Sequence, residues 1–75
     1  DYMPDEFTYE RSWDDIHAML DRAERKQNSH LTGMQRDKVT KEQRIKHMRN
    51  YKALEGVIKS LRWVLGDRNI EHPLE

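Results

Sequence analysis

The sequence predicts an all-α fold: an antiparallel helical hairpin with a shorter and a longer helix, preceded by an N-terminal arm. Three observations predict it. Apolar residues recur at spacings of three and four in two separate blocks. A hydroxyl residue, Ser12 or Thr40, stands at the head of each block where a helix N-cap belongs. No proline lies between Pro4 and Pro73, and the turn-forming residues cluster once, between the two blocks.

Residues 1–11 are expected to form an arm. They mix acids with Tyr2, Met3, Pro4, Phe7 and Tyr9 and show no clear period. Pro4 followed by Asp5 and Glu6 suits one short helical turn; an arm that docks its aromatic rings is the other reading. Ser12 can accept from the backbone amide of Asp15, while Asp14 and Asp15 suit the positive end of a helix. Trp13, Ile16, Leu20 and Ala23 then make one apolar stripe, with Met19 beside it. The first helix is therefore expected over about 12–28, ending where Asn28-Ser29-His30-Leu31-Thr32-Gly33 supplies turn chemistry. Thr40 and Gln43 fit a capping box, and good helix formers follow to Gly66, a natural left-handed C-terminal stop. The second helix is expected over about 40–66, and residues 67–75 form a tail. Leu74-Glu75 is a pair that a cloning site can leave behind.

Length and composition bound the function. The chain has 75 residues, 35% hydrophobic and 37% charged, with no cysteine. It forms one domain, 1–75, and so small a core supplies only about 3–5 kcal/mol. Small domains make up that deficit with disulfides, metals or association. Without cysteine, association is the first candidate. No run approaches the ~20 apolar residues that span a bilayer, and no basic-then-apolar leader opens the chain. A non-membrane, cytoplasmic protein is expected.

A hairpin with these unequal helices would leave residues 56–66 overhanging. Leu54, Val57, Ile58, Leu61, Val64 and Leu65 form a wide stripe there, with Trp63 on another side. An apolar ridge of that size calls for a cover. A second copy is favoured, giving a four-helix bundle built on Val57, Ile58, Leu61, Trp63, Val64 and Leu65; the arm is the alternative lid. Gly56 inside the helix costs ~1 kcal/mol relative to Ala, which a close neighbour would explain, although simple tolerance would too.

Formal charge is zero but unevenly placed. Residues 1–24 carry eight acids against two bases, and residues 36–52 carry seven bases against two acids. Lys41, Arg44, Lys46, Arg49 and Lys52 are candidate nucleic-acid contacts, because clustered cations release counterions from phosphate. They point around the helix instead of forming one stripe, so a solvated face partly paired with Asp21 and Glu24 is the leading reading. His47 falls on the continuation of the apolar stripe. It is read first as a hydrogen-bonded core residue near Leu20 and Glu24; a pH-sensitive pair and a metal ligand are the other readings. His17 with Asp14 and Asp21 has chelating spacing but no second cluster. No catalytic constellation, cofactor motif or complete metal-ligand set is expected.

The run Tyr51-Lys52-Ala53-Leu54-Glu55-Gly56-Val57-Ile58-Lys59-Ser60-Leu61-Arg62-Trp63-Val64-Leu65-Gly66-Asp67 resembles small uncharacterised helical proteins of bacteriophages and prophages. The resemblance covers about a quarter of the chain and carries no site residues. It implies a bacterial cytosolic setting and a role in phage assembly or host interference. The expected function is therefore that of a self-associating protein–protein interaction or assembly element, not an enzyme. The alternative is a nucleic-acid-associated accessory protein.

Overall fold

The computed structural model of the chain describes residues 6–75. The expected contributions of Tyr2, Met3 and Pro4 lie outside the described residues. Two helices, α1 (Trp13–Met34) and α2 (Lys41–Val64), pack as a hairpin joined by residues 35–40. No strand occurs among the described residues.

Both helix starts follow from their caps. The Ser12 hydroxyl accepts from the Asp15 amide at 3.0 Å, and the Asp15 carboxylate accepts from the Ser12 amide at 3.1 Å. Thr40 and Gln43 exchange the same pair of bonds at 3.0 and 3.1 Å. Each box satisfies two amides that a helix start would otherwise leave unpaired. At the other end of α2, Gly66 adopts φ +86°. The Gly66 amide donates to Trp63 O and the Asp67 amide to Arg62 O, both at 3.0 Å. These two bonds make a Schellman stop, which needs the left-handed residue that glycine supplies at least cost.

The first helix is longer than its sequence suggests. It runs through Asn28–Gly33 and ends at Met34, so α1 has 22 residues against 24 in α2. Tertiary contact overrides turn propensity here. Leu31 and Met34 are half-buried, and Gly33 is buried. Across the gap, His30 Nδ1 and His47 Nδ1 lie 3.0 Å apart and share a hydrogen bond. The Thr32 hydroxyl donates back to Asn28 O at 3.0 Å, so a turn former is accommodated within the helix.

The longer α1 removes the overhang. His17 and Leu20 share a hollow with Arg62, Leu65 and Gly66, and Ile16 and Met19 flank Leu61. The C-terminal half of α2 is thus lined along its inner face by the N-terminal half of α1. The expected overhang of residues 56–66 is corrected by this register. His47 does face α1, but it meets His30 and Gly33 instead of Leu20 and Glu24.

Gly33 has a specific packing role. A Cβ added there would stand 2.7 Å from His47 Cε1 and Nε2. The ring cannot retreat without giving up His30. Gly33→Ala gains roughly 1 kcal/mol of helix propensity but forfeits that hydrogen bond and overpacks the helix pair. The expected result is a net loss of about 1 kcal/mol, measured as a lower urea midpoint at constant slope.

The core between the helices is thin. Among the described residues, Ala23 and Ile58 are the only buried hydrophobic ones, at 6% and 9% exposure. The chain exposes 6810 Å²; a compact monomer of 9.1 kDa would expose about 4,900 Å². Its radius of gyration is 15.6 Å, against about 11 Å for a compact 75-residue domain. Two helices side by side have one shared face, so most of each cylinder stays wet.

Candidate functional site

The outer side of α2 carries the surface of interest. At 100° per residue, Tyr51, Leu54, Ile58, Leu61 and Leu65 form the inner face, and all are buried or half-buried. Ala53, Gly56, Val57, Ser60, Trp63 and Val64 form the outer face, spaced at three and four, and all are exposed. None of these six is charged. Trp63 is 50% exposed, Val57 45% and Val64 43%. A Cβ on Gly56 would meet nothing within 4 Å.

This outer face continues sideways. Leu61 lines an open groove with Ile16, Ala18 and Met19, bordered by Arg11, Asp15 and Arg22, and Met19 is 49% exposed. Val57 and Val64 sit one turn on either side of Leu61 on α2. Apolar surface therefore runs from the groove over the two valines to Trp63. Of the described arm residues, Arg11 borders the groove, while Val57, Trp63 and Val64 stay exposed. Phe7 and Tyr9 pack on one another, with ring centroids 5.9 Å apart, and remain 52% and 70% exposed.

The structure divides the six residues expected at an interface. Ile58, Leu61 and Leu65 lie against α1, and Val57, Trp63 and Val64 face outward. The single wide stripe read from the sequence is therefore two faces of one helix. Ala53, Ser60 and Met19 were missed as members of the outward surface. The first two could have been found from the spacing 53, 56, 57, 60, 63, 64. Met19 could not, because its neighbour Leu61 is set by the register of the hairpin.

Charge follows the long axis. Residues 25–52, which make up the turn end, hold nine bases and two acids, and the rest of the chain carries the balancing excess of acids. Lys41, Arg44, Lys46, Arg49 and Lys52 are all exposed. The expected pairing of this segment with acids of the first helix does not occur. Asp21 binds Arg25 at 3.1 Å within α1, and Glu24 is held by Arg62 near the other end of α2. Arg62 also reaches Asp67 at 3.7 Å, so it ties α1, α2 and the exit turn together. Lys52 pairs with Glu55 at 3.7 Å on its own helix. The two ends match in register along the rods but carry opposite charge, which leaves the cations without cross-helix acids.

Among the described residues no three His, Cys, Asp or Glu side chains converge as a metal site, and His17 stays exposed. No helix among the described residues is long and apolar enough to cross a membrane. The tail turns back beside α2, where Ile70, Glu71 and His72 border a shallow hollow with Lys59. Fold and surface together define a small all-α hairpin with an uncovered second apolar face. Comparison with family models, curated proteins and solved structures finds no match to the chain.

Proposed function

We propose that the protein is a self-associating assembly element, a homodimer in which the outer faces of two α2 helices pack antiparallel. The observation that carries this reading is the uncharged row Ala53, Gly56, Val57, Ser60, Trp63 and Val64 on the side of α2 away from α1. The chain exposes roughly 1,900 Å² more than a compact monomer of its mass. That excess exceeds the ~800 Å² that each partner contributes to a standard interface.

Shape supports an antiparallel partner. Gly56 and Trp63 lie two turns apart on the same face. Turning a second helix end for end about the point midway between Lys59 and Ser60 sets each Trp63 over the partner's Gly56, an indole against a position with no side chain. Large aromatic anchors seated in pockets carry most of the energy of such interfaces. Charge supports it too. A parallel pairing would bring two cationic turn ends together. The antiparallel pairing separates them. A phage or prophage assembly role in the bacterial cytosol, implied by the resemblance of residues 51–67, belongs to the same proposal.

Gly56→Ala tests it. With no neighbour within 4 Å, the methyl group should stabilise the isolated hairpin by about 1 kcal/mol. In the dimer the same methyl group would lift the partner's indole. The expected outcome is a higher melting temperature at low protein concentration together with a weaker dimer in sedimentation equilibrium. A wild-type protein that stays at 9.1 kDa at the highest concentrations would remove the proposal.

A further inference from the structure

We propose that the turn end of the hairpin is a binding surface for the phosphate backbone of nucleic acid, read without base specificity. The surface is larger than the basic half of α2. The hairpin brings Arg25 and Lys26 of α1 and Arg36 and Lys38 of the link to the end that holds Lys41, Arg44, Lys46, Arg49 and Lys52, and all nine are exposed. Only Arg25 and Lys52 have an ion pair among the described residues, each with an acid on its own helix. The other seven form no ion pair among the described residues, and Asp37 and Glu42 are the only acids in residues 25–52, so the end keeps a net positive field that an anion would relieve.

The neutral residues at this end suit the same ligand. Asn28, Ser29, Gln35 and Asn50 are exposed among the cations, and such side chains share phosphate contacts with Arg and Lys. An acidic peptide is the less suitable partner, because the cations surround the tip instead of bordering one apolar groove that would hold a peptide's anchors. Lys41 to Lys52 spans roughly 16 Å of helix, which matches about five steps of 3.4 Å along one strand. Up to five phosphate contacts therefore fall within the length of α2 alone. The chain's zero net charge does not oppose this, since the acids lie mainly toward the other end and the local field acts at the tip.

The surface is separate from the outer face of α2 at 53–64, so the inference does not depend on self-association. Fluorescence anisotropy with a labelled 20-base-pair duplex of arbitrary sequence tests it. The five α2 contacts alone predict a loss of affinity of about 500-fold between 50 and 200 mM salt, and contacts from α1 and the link steepen it further. Lys41→Gln/Arg44→Gln/Arg49→Gln should lower the salt slope by about three while the helical circular dichroism is kept. Lys26→Gln/Arg36→Gln, on different elements, should lower it by about two and decides the matter if the triple variant loses helix. A Val57→Asp/Val64→Asp protein should bind the duplex with the same slope. Absence of binding at 50 mM salt overturns the proposal. So does polyglutamate that binds as tightly as the duplex, which would identify an acidic protein as the partner.

Discussion

Val57→Asp/Val64→Asp is expected to convert a particle of twice the 9.1 kDa chain mass into a single chain with its helix content unchanged. Both valines are more than two-fifths exposed in the hairpin, so neither carboxylate disturbs contacts with α1. In the proposed dimer four carboxylates would be driven into an uncharged seam. Each would have to be desolvated without a partner, a cost of several kcal/mol per ion. Hot-spot losses of at least about 2 kcal/mol weaken a complex roughly thirty-fold, and two such sites per chain exceed that. Analytical ultracentrifugation reads the mass and far-UV circular dichroism reads the helix. A variant with the same mass as the wild type would place any interface elsewhere on the surface. Leu61→Asp is the poorer experiment, although Leu61 stands in the same apolar stretch. Leu61 is half-buried beside Ile16 and Met19, so its loss would unfold the hairpin and dissociate the dimer together.

Ile58→Ala is expected to cost about 2–5 kcal/mol of folding stability. Ile58 is the one large side chain buried among the described residues, and the cavity left behind has few neighbours able to collapse into it. That loss is comparable with the entire ~3–5 kcal/mol that a core of this size provides. At low concentration the variant should be largely unfolded in urea-free buffer. Self-association of the folded form alone would pull the equilibrium back by mass action, so helicity should rise with protein concentration. Val57→Ala, one residue away, should leave folding stability within about 0.5 kcal/mol, the usual range for a surface change. Equal effects at 57 and 58 in chemical denaturation would contradict the division of α2 into inner and outer faces.

The local signals in the sequence were strong where the chain makes its own bonds. Ser12 with Asp15, Thr40 with Gln43 and Gly66 at its left-handed stop each act within a few residues, and the structure contains all three. The end of α1 was not legible in this way. Asn28, Ser29, Thr32 and Gly33 each favour a turn by their own chemistry. They are helical because Leu31, Met34 and His30 have α2 to pack against, and because Gly33 makes room for His47. Six residues of extra helix then shifted the register, and with it every statement about which part of α2 lies uncovered.

The sequence by itself determined two amphipathic helices, their starting caps, the C-terminal stop and the separation of charge along the chain. These depend on contacts within a turn or two, or on composition alone. Only the tertiary structure decided where the first helix ends, that Glu24 meets Arg62, that His30 meets His47, and which apolar residues of α2 stay exposed. Each of those is fixed by how far one helix slides along the other. Sliding is governed by contacts between residues 17 to 38 positions apart, and no local pattern encodes that distance.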